Sequence, residues 1–315
     1  MADPQTSPSS SFSELLPPEV INMIGRLEFM ARSTKEGSIS GRHTSPHKGF
    51  SVEFAEHRQY VAGDDLRNLD WRVYGKSDRY YIKQYIEETN MRATILIDAS
   101  GSMAYTGDEA SALGQHERLS KFEYARHLSA ALTYLLIRQQ DAVGLVTFAD
   151  GIKKYLRPTA KPSQVRKILE ELSATSPTED TRCAETFHEI AERIPSRGLV
   201  IIISDLFDDA EAIKKALHHF RYKNHELVLF HLMAEEELTF PFKKFDDFRC
   251  LEVDNRRLNI DPATIRASYL ERVRAHLKSI ELACGQMEAD YVPVNTKTSV
   301  PEALFSYFSA RRGKG

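Results

Sequence analysis

Two hydroxyls and a carboxylate follow an apolar segment of this chain at alternate positions. Asp98 comes directly after the segment Ile95–Ile97, and Ser100 and Ser102 follow, each after one intervening residue. Carboxylate and hydroxyl oxygens are hard donors, which are the ligands that Mg²⁺ prefers. A buried strand that ends in this way indicates half of a metal site at the edge of a parallel sheet.

The other half of the site is predicted at the end of a later strand. The apolar segment Leu199–Ile203 is followed by Ser204 and Asp205. In a doubly wound sheet, ligands bind beyond the carboxyl ends of the strands, where the strand order reverses. In the order 3-2-1-4-5-6 this crevice lies between the first and fourth strands, which here end at Asp98 and Asp205. Two carboxylates at one crevice repel each other unless a proton or a cation intervenes, so the arrangement favours a divalent ion.

A third loop is expected to add one more hydroxyl to the site. The segment from Thr178 to Arg182 contains two threonines and precedes a predicted helix. Either threonine can supply this hydroxyl. Thr181 lies at the start of the helix, where an oxygen side chain also serves as an ordinary N-cap.

Apolar strands alternate with amphipathic helices from Met91 onward. This alternation predicts an α/β fold with a doubly wound, mostly parallel sheet that is covered on both faces. The predicted strands are Ala93–Ile97, Ala142–Phe148, Ile152–Leu156 as an antiparallel hairpin partner, Leu199–Ile203, Leu227–Leu232, Leu251–Val253 and Tyr291–Val294. The predicted helices are Lys121–Arg138, Pro162–Leu172, Arg182–Ile194, Asp209–Tyr222, Pro262–Cys284 and Pro301–Ala310.

Three regions are predicted along the chain. Residues 1–12 are rich in proline and serine and are expected to form a disordered tail. Residues 13–91 are expected to contain an N-terminal helix, from Pro18 to about Ala31, and a small β-rich region. Residues 92–312 are expected to form the α/β domain.

Asp98, Ser100, Ser102 and Asp205 resemble the metal-ion-dependent adhesion site (MIDAS) of the von Willebrand factor type A domain. That signature is Asp-x-Ser-x-Ser after the first strand, a threonine in a later loop and an aspartate after the fourth strand. Thr181 matches the threonine, although Glu179 and Asp180 replace the usual pair of glycines before it, and Thr178 stays the alternative. The resemblance implies a bound Mg²⁺, with Mn²⁺ as the alternative ion, whose open position accepts a carboxylate from a partner protein.

The segment before the first strand of the α/β domain is similar to a bacterial family of unknown function numbered fifty-eight. Its matching positions include Arg58, Asp64, Asp65, Arg67, Asp70 and Trp71. These side chains form either a docking surface or a salt-bridged structural network with Trp71 as a packing anchor. The resemblance implies a cytoplasmic protein, often encoded beside an AAA+ ATPase of the MoxR type, that helps this ATPase act on a client.

Composition excludes several other classes of protein. The chain has 315 residues and a formal net charge of −3, which indicates neither a nucleic-acid binder nor a membrane-surface binder. Its three cysteines are far apart and suit a reducing compartment. The sequence lacks a segment that is apolar and long enough to span a bilayer, so no membrane insertion is expected, and a cytoplasmic location is predicted.

The predicted function is metal-dependent protein–protein interaction rather than catalysis. An aspartate-nucleophile phosphatase would carry a second carboxylate two residues after Asp98, where Ser100 stands. Neither a Gly-x-Ser-x-Gly elbow nor a Walker loop occurs in the sequence. The motif also lacks a spare histidine or lysine nearby in the sequence to act as a base. The alternative function is a Mg²⁺-dependent phosphohydrolase that uses the same crevice.

Overall fold

A computed structural model describes residues 14–25, 52–61, 69–87, 91–107, 119–178, 183–194, 197–242, 246–249 and 257–312. The chain divides into two compact units. One unit comprises residues 1–37 and 91–315, and the other comprises residues 38–90. The predicted tail and Leu251–Val253 lie outside the described residues.

The strands and helices follow the predicted alternation closely. The strands are β1 Val52–Gln59, β2 Tyr81–Glu87, β3 Arg92–Asp98, β4 Ala142–Phe148, β5 Ile152–Thr159, β6 Gly198–Ser204, β7 His225–Met233, β8 Asp246–Arg249, β9 Arg257–Ile260 and β10 Asp290–Asn295. The helices are α1 Trp71–Ser77, α2 Lys121–Arg138, α3 Ser163–Ala174, α4 Cys183–Arg193, α5 Ala210–Tyr222, α6 Glu235–Thr239, α7 Pro262–Gln286 and α8 Val300–Arg312. Residues 18–25 form a further helical segment, and Gly101–Ala104 form a turn of 3₁₀-helix.

The larger unit is built on a six-stranded sheet of order β10-β7-β6-β3-β4-β5. Only β5 runs antiparallel to its neighbour in this sheet, so the predicted α/β fold with a mostly parallel sheet is confirmed. Counted from β3, the order is 3-2-1-4-5-6, as predicted. The first and fourth strands, β3 and β6, are therefore direct neighbours, with Ile97 opposite Ile203. Their carboxyl ends place Asp98 and Asp205 at one edge of the sheet.

Helices cover both faces of this sheet because its strands are apolar on both sides. On β3, Ile95 and Ile97 belong to a core shared with α2, α3 and α8. Leu96 points to the other face and belongs to a core shared with α4, α5 and α7. The N-terminal segment adds Leu15, Leu16, Val20 and Ile24 to the first core. Burial on both faces explains why the strands read as continuous apolar runs rather than as alternating ones.

The second unit contains the antiparallel pair β1 and β2 together with α1. Asp70 is the N-cap of α1, and its Oδ1 accepts hydrogen bonds from the Arg72 and Val73 amides at 2.9 Å and 3.3 Å. Trp71 is 65% exposed, so its predicted role as a packing anchor is wrong. The half-buried Arg58 donates from Nη1 to the Gln59 carbonyl at 3.4 Å. Asp64, Asp65 and Arg67 lie outside the described residues, and the choice between a network and a docking surface stays a prediction.

Four short elements, α1, α6, β8 and β9, were not predicted from the sequence. The sequence predicts a loop from Thr239 to Phe248, but α6 occupies Glu235–Thr239 and β8 begins at Asp246. β8 pairs with β9 in a small hairpin outside the main sheet. Elements of four or five residues bury too few side chains to show a periodic pattern.

Gly144 lies in β4 where the adjacent strand approaches closely. A Cβ at this position would lie 2.7 Å from the Leu156 carbonyl oxygen and 2.9 Å from the Pro158 ring. We expect Gly144→Ala to destabilise the fold by about 1–3 kcal/mol, because backbone must move to admit the methyl group. Gly285→Ala in α7 is the matched control, since a Cβ there meets no atom within 4 Å. Guanidinium unfolding of both variants tests this, and an unchanged midpoint for Gly144→Ala would contradict it.

Candidate metal centre

Asp98 anchors the crevice at the end of β3, and its side chain is fully buried. Its Oδ2 accepts hydrogen bonds from the Ser204 hydroxyl at 2.5 Å and from the Cys183 thiol at 3.5 Å. Its Oδ1 accepts from the Ser100 amide at 2.9 Å. The bond from Ser204 crosses from β6 to β3, so the two strand ends are tied together at the crevice.

Burial in the first place, together with the negative charge of Asp205, raises the pKa of the Asp98 carboxyl from 3.8 to about 6. The hydrogen bonds from Ser204 and Ser100 lower this pKa in part. Burial in a low-dielectric site disfavours the charged form of a carboxyl group. Near neutral pH, this carboxylate is therefore stabilised by anything that supplies positive charge.

The two serine hydroxyls of the motif lie beside each other. Ser100 Oγ and Ser102 Oγ are 3.2 Å apart. Ser100 is buried, whereas Ser102 is half-buried at the start of the 3₁₀ turn. Adjacent oxygens of an Mg²⁺ octahedron lie about 2.9 Å apart, because each lies about 2.0–2.1 Å from the ion. The hydroxyl spacing therefore suits two neighbouring ligands of one small ion.

Asp205 faces the crevice from the end of β6 and is also buried. Its Oδ2 accepts from the Lys121 ammonium at 2.6 Å, and its Oδ1 accepts from the Phe207 amide at 3.3 Å. Burial would raise the pKa of Asp205, but the charge and the hydrogen bond of Lys121, with a hydrogen bond from Ser102, hold it below its usual value. Asp205 is therefore ionised while Asp98 is the carboxylate that resists ionisation.

Lys121 is a residue of the crevice that the sequence reasoning missed. It is the first residue of α2 and is 1% exposed, with its Nζ 2.6 Å from Asp205 Oδ2 and 2.7 Å from Glu237 Oε1. Burial alone would lower the pKa of Lys121, but Asp205 and Glu237 raise it above its usual value. The sequence places no spare histidine or lysine near the motif to act as a base; Lys121 lies near the motif in space, but it is ion-paired and therefore not a free base.

Two histidines hold the loop that carries Asp205. His231 Nε2 lies 2.8 Å from the Asp205 carbonyl, and His276 Nε2 lies 3.1 Å from the Leu206 carbonyl. A carbonyl oxygen only accepts hydrogen bonds, so each Nε2 is the donor. Burial lowers the pKa of His231 to about 4, which keeps its imidazole neutral. Leu206 has a φ of 49°, a left-handed conformation that these contacts hold in place.

Of the two candidate threonine ligands, only Thr178 lies within the described residues. Thr181, the preferred ligand, lies outside the described residues. Thr178 lies next to the motif, because its backbone bridges to Ser100 and its amide donates to the Ala99 carbonyl at 2.8 Å. Its hydroxyl lies 3.4 Å from the same carbonyl. The assignment of the threonine ligand stays a prediction.

The donor set fits a small hard cation by its chemistry and its charge. Within the described residues, histidine, cysteine, aspartate and glutamate do not form a group of three or more around one metal position. The crevice instead combines the Asp98 and Asp205 carboxylates with the Ser100 and Ser102 hydroxyls. Lys121 pairs with the Asp205 and Glu237 carboxylates, and Asp98 adds a third carboxylate that interacts with Asp205, so two negative charges are uncompensated among these four groups when all three carboxylates are ionised. A divalent cation would balance that charge.

The chain is similar to proteins without a described activity. Uncharacterised proteins of Mycobacterium bovis and Mycobacterium tuberculosis are each 22% identical over 314 residues, which cover 97% of this chain and 94% of the relative. Among solved structures, the conserved hypothetical protein BatB from Bacteroides thetaiotaomicron is 18% identical, with a TM-score of 0.42 over 70% of this chain and 98% of that chain. An aerotolerance-related membrane protein from Bacteroides fragilis is 15% identical, with a TM-score of 0.41 over 70% and 99%.

None of the helices within the described ranges is long and apolar enough to cross a bilayer.

The family model described as "Protein of unknown function DUF58" matches residues 56–279, which is more than half of the chain. This match includes the motif after β3, the loop after β6 and most of the core helices between and after them. The prediction made from the segment before β3 is confirmed: the chain belongs to the DUF58 family of proteins of unknown function.

Proposed function

We propose that this protein is a metal-dependent protein-interaction module with a von Willebrand factor A-like α/β domain. Asp98, Ser100, Ser102 and Asp205 would hold Mg²⁺, or Mn²⁺ in its place. When bound, the ion supplies positive charge that attracts a carboxylate of a partner protein. The observation that carries the proposal is a crevice of four hard oxygen side chains with uncompensated negative charge, at the reversal point of strand order.

The distribution of charge in the donor set favours binding over catalysis. Ser100 and Ser102 contribute neutral oxygens, so a bound cation keeps more of its charge than it would among carboxylates alone. Lys121 is committed to Asp205 and Glu237, and His231 is committed to the Asp205 carbonyl. These bases therefore position the crevice rather than accept a proton from a substrate.

The surface beside the crevice offers a contact for a protein partner. Phe207 follows Asp205 after one residue and is 54% exposed, while its own amide donates to Asp205 Oδ1. An exposed aromatic side chain next to a charged site is typical of protein interfaces. The Asp205 carboxylate and the Phe207 ring are thus positioned by one short loop.

The partner that we propose is an AAA+ ATPase of the MoxR type, together with its client. The support for this partner is the resemblance of the segment before β3 to the DUF58 family and its implied association with such ATPases. An acidic side chain of the ATPase or of the client would contact the cation, and an apolar side chain would contact Phe207.

Binding to the MoxR-type ATPase of the same organism tests the proposal directly. We expect immobilised wild-type protein to bind the purified ATPase in Mg²⁺, and to lose at least tenfold in affinity in a chelator. Asp98→Asn should lose binding to the same extent in Mg²⁺, because it removes a charged ligand without changing the size of the side chain. Biolayer interferometry measures all three affinities.

Asp150→Asn is the matched control for that experiment. Asp150 follows β4 at the same edge of the sheet but is exposed in the turn before β5. Its variant should bind the ATPase as the wild type does. Equal binding with Mg²⁺ and with chelator would reject the metal-dependent interaction. Hydrolysis of a phosphoester panel in Mg²⁺, abolished by Asp98→Asn, would replace the proposal with the phosphohydrolase alternative.

A further inference from the structure

Lys121 is an unusual residue to find at the start of a buried helix. Lysine is almost never fully buried unless it is paired, and Lys121 is 1% exposed. The first turn of a helix also disfavours positive charge, because the amide groups there carry the positive end of the helix dipole. Ser120 and Glu123 already complete a capping box at this end of α2. The charge of Lys121 therefore does not stabilise the helix, and it acts on the carboxylates of the crevice instead.

The ammonium of Lys121 lies where the candidate metal site needs a cation. Its Nζ is 2.6 Å from Asp205 Oδ2, one of the four side chains assigned to the metal. Two positive charges that share one carboxylate repel each other, and the repulsion is strong in a buried site. The Lys121 ammonium and a divalent ion would thus compete for the Asp205 carboxylate.

Glu237 gives the ammonium a second anion. Its Oε1 lies 2.7 Å from Nζ, and its side chain is 15% exposed. Its Oε2 accepts from the Ala234 amide at 2.7 Å, so its position is fixed by the start of α6 and does not depend on Lys121. Lys121 can therefore leave Asp205 toward Glu237 without becoming an unpaired buried charge.

We propose that Lys121 is a built-in counter-ion that competes with a divalent metal for Asp205, so that metal binding displaces the lysine toward Glu237. This inference rests on the metal site of the proposed function. It adds that the metal-free crevice is closed by the protein's own cation. The site then has two states, one with Lys121 paired to Asp205 and one with the metal bound. The affinity for the metal depends on the strength of the Lys121–Asp205 ion pair.

Titration of Mn²⁺ into the full-length protein tests the competition. We expect Lys121→Met to bind Mn²⁺ at least tenfold more tightly than the wild type, since methionine is of similar length and uncharged. Lys167→Met in α3 is the control for loss of one positive charge at an exposed position, and its affinity should equal that of the wild type. Isothermal titration calorimetry gives all three dissociation constants.

Two failures of this titration have different meanings. If wild type and Lys121→Met bind Mn²⁺ with equal affinity, the competition is rejected and the metal site stands. If none of the proteins binds Mn²⁺, the metal site of the proposed function is wrong, and the competition falls with it.

A measurement on the wild-type protein tests the competition without depending on correct folding of the Lys121→Met variant. Acetylation of lysine ε-amines, followed by mass spectrometry, reports which ammonium groups are accessible. We expect Lys121 to react slowly without metal and at least threefold faster in saturating Mn²⁺, while the exposed Lys167 reacts equally in both conditions. An unchanged rate at Lys121, with Mn²⁺ bound, would show that the lysine stays on Asp205 and would overturn the proposal.

Discussion

Asp205→Ala will lower the free energy of unfolding of the metal-free protein by about 3 kcal/mol, because removing one partner leaves a buried ion poorly compensated. Lys121 is 1% exposed and would keep only Glu237 as its anion. A group that is buried and charged cannot regain its hydration in the folded state. Guanidinium denaturation in the presence of a chelator, followed by circular dichroism, measures the loss.

A surface ion pair of the same length is the matched control for this effect. Lys214 Nζ and Glu211 Oε1 are also 2.6 Å apart, but the glutamate side chain is 71% exposed. We expect Glu211→Ala to change the free energy of unfolding by less than about 0.5 kcal/mol, because water replaces the lost partner. The comparison isolates burial, since the distance between the charged atoms is the same in both pairs.

The double variant Lys121→Met/Asp205→Ala separates the ion pair from the packing of the two side chains. It should be more stable than Asp205→Ala alone, because the buried Lys121 ammonium that has lost Asp205 as a partner is also removed. Additive losses from the two single variants would show that the pair is not coupled. That result would contradict the role we assign to Lys121 as the counter-ion of the crevice.

The strand ends of the crevice could be predicted because they are local features of the sequence. A run of apolar residues that stops at an aspartate marks both the strand and its polar end, as at Asp98 and Asp205. The right-handed connections of an α/β sheet then limit the possible strand orders, so the two strand ends could be predicted to lie next to each other. The structure has this order, with β3 beside β6.

Lys121 could not be identified in the same way because its signal is not local. It lies 84 residues from Asp205 and 116 from Glu237, and one lysine at the start of an amphipathic helix is ordinary. The usable signal is topological: the helix after the first strand returns across the sheet, so its first residue begins at the edge where that strand ends. His231 has a comparable signal, since it pairs in register with Ser204 on the neighbouring strand.

Asp98→Asn will stabilise the metal-free protein at pH 7.5 by about 1–3 kcal/mol, although it removes a charged ligand of the proposed site. The pKa of Asp98 is raised to about 6 by burial and by the charge of Asp205. In the unfolded chain this carboxyl ionises near pH 4, so between about pH 4 and pH 6 the unfolded state loses its proton first. The folded wild type therefore loses stability from Asp98 as the pH rises through this window, whereas the asparagine variant does not.

Unfolding of both proteins at a series of pH values, with chelator present, tests the sign of this effect. The advantage of Asp98→Asn should be absent near pH 4, grow up to about pH 6 and then level off. Saturating Mg²⁺ should reverse the order at pH 7.5, because a ligand that binds only the folded wild type stabilises it alone. A stability difference that is independent of pH would mean that Asp98 is already compensated without a metal. In that case the crevice would carry too little uncompensated charge to attract a divalent ion.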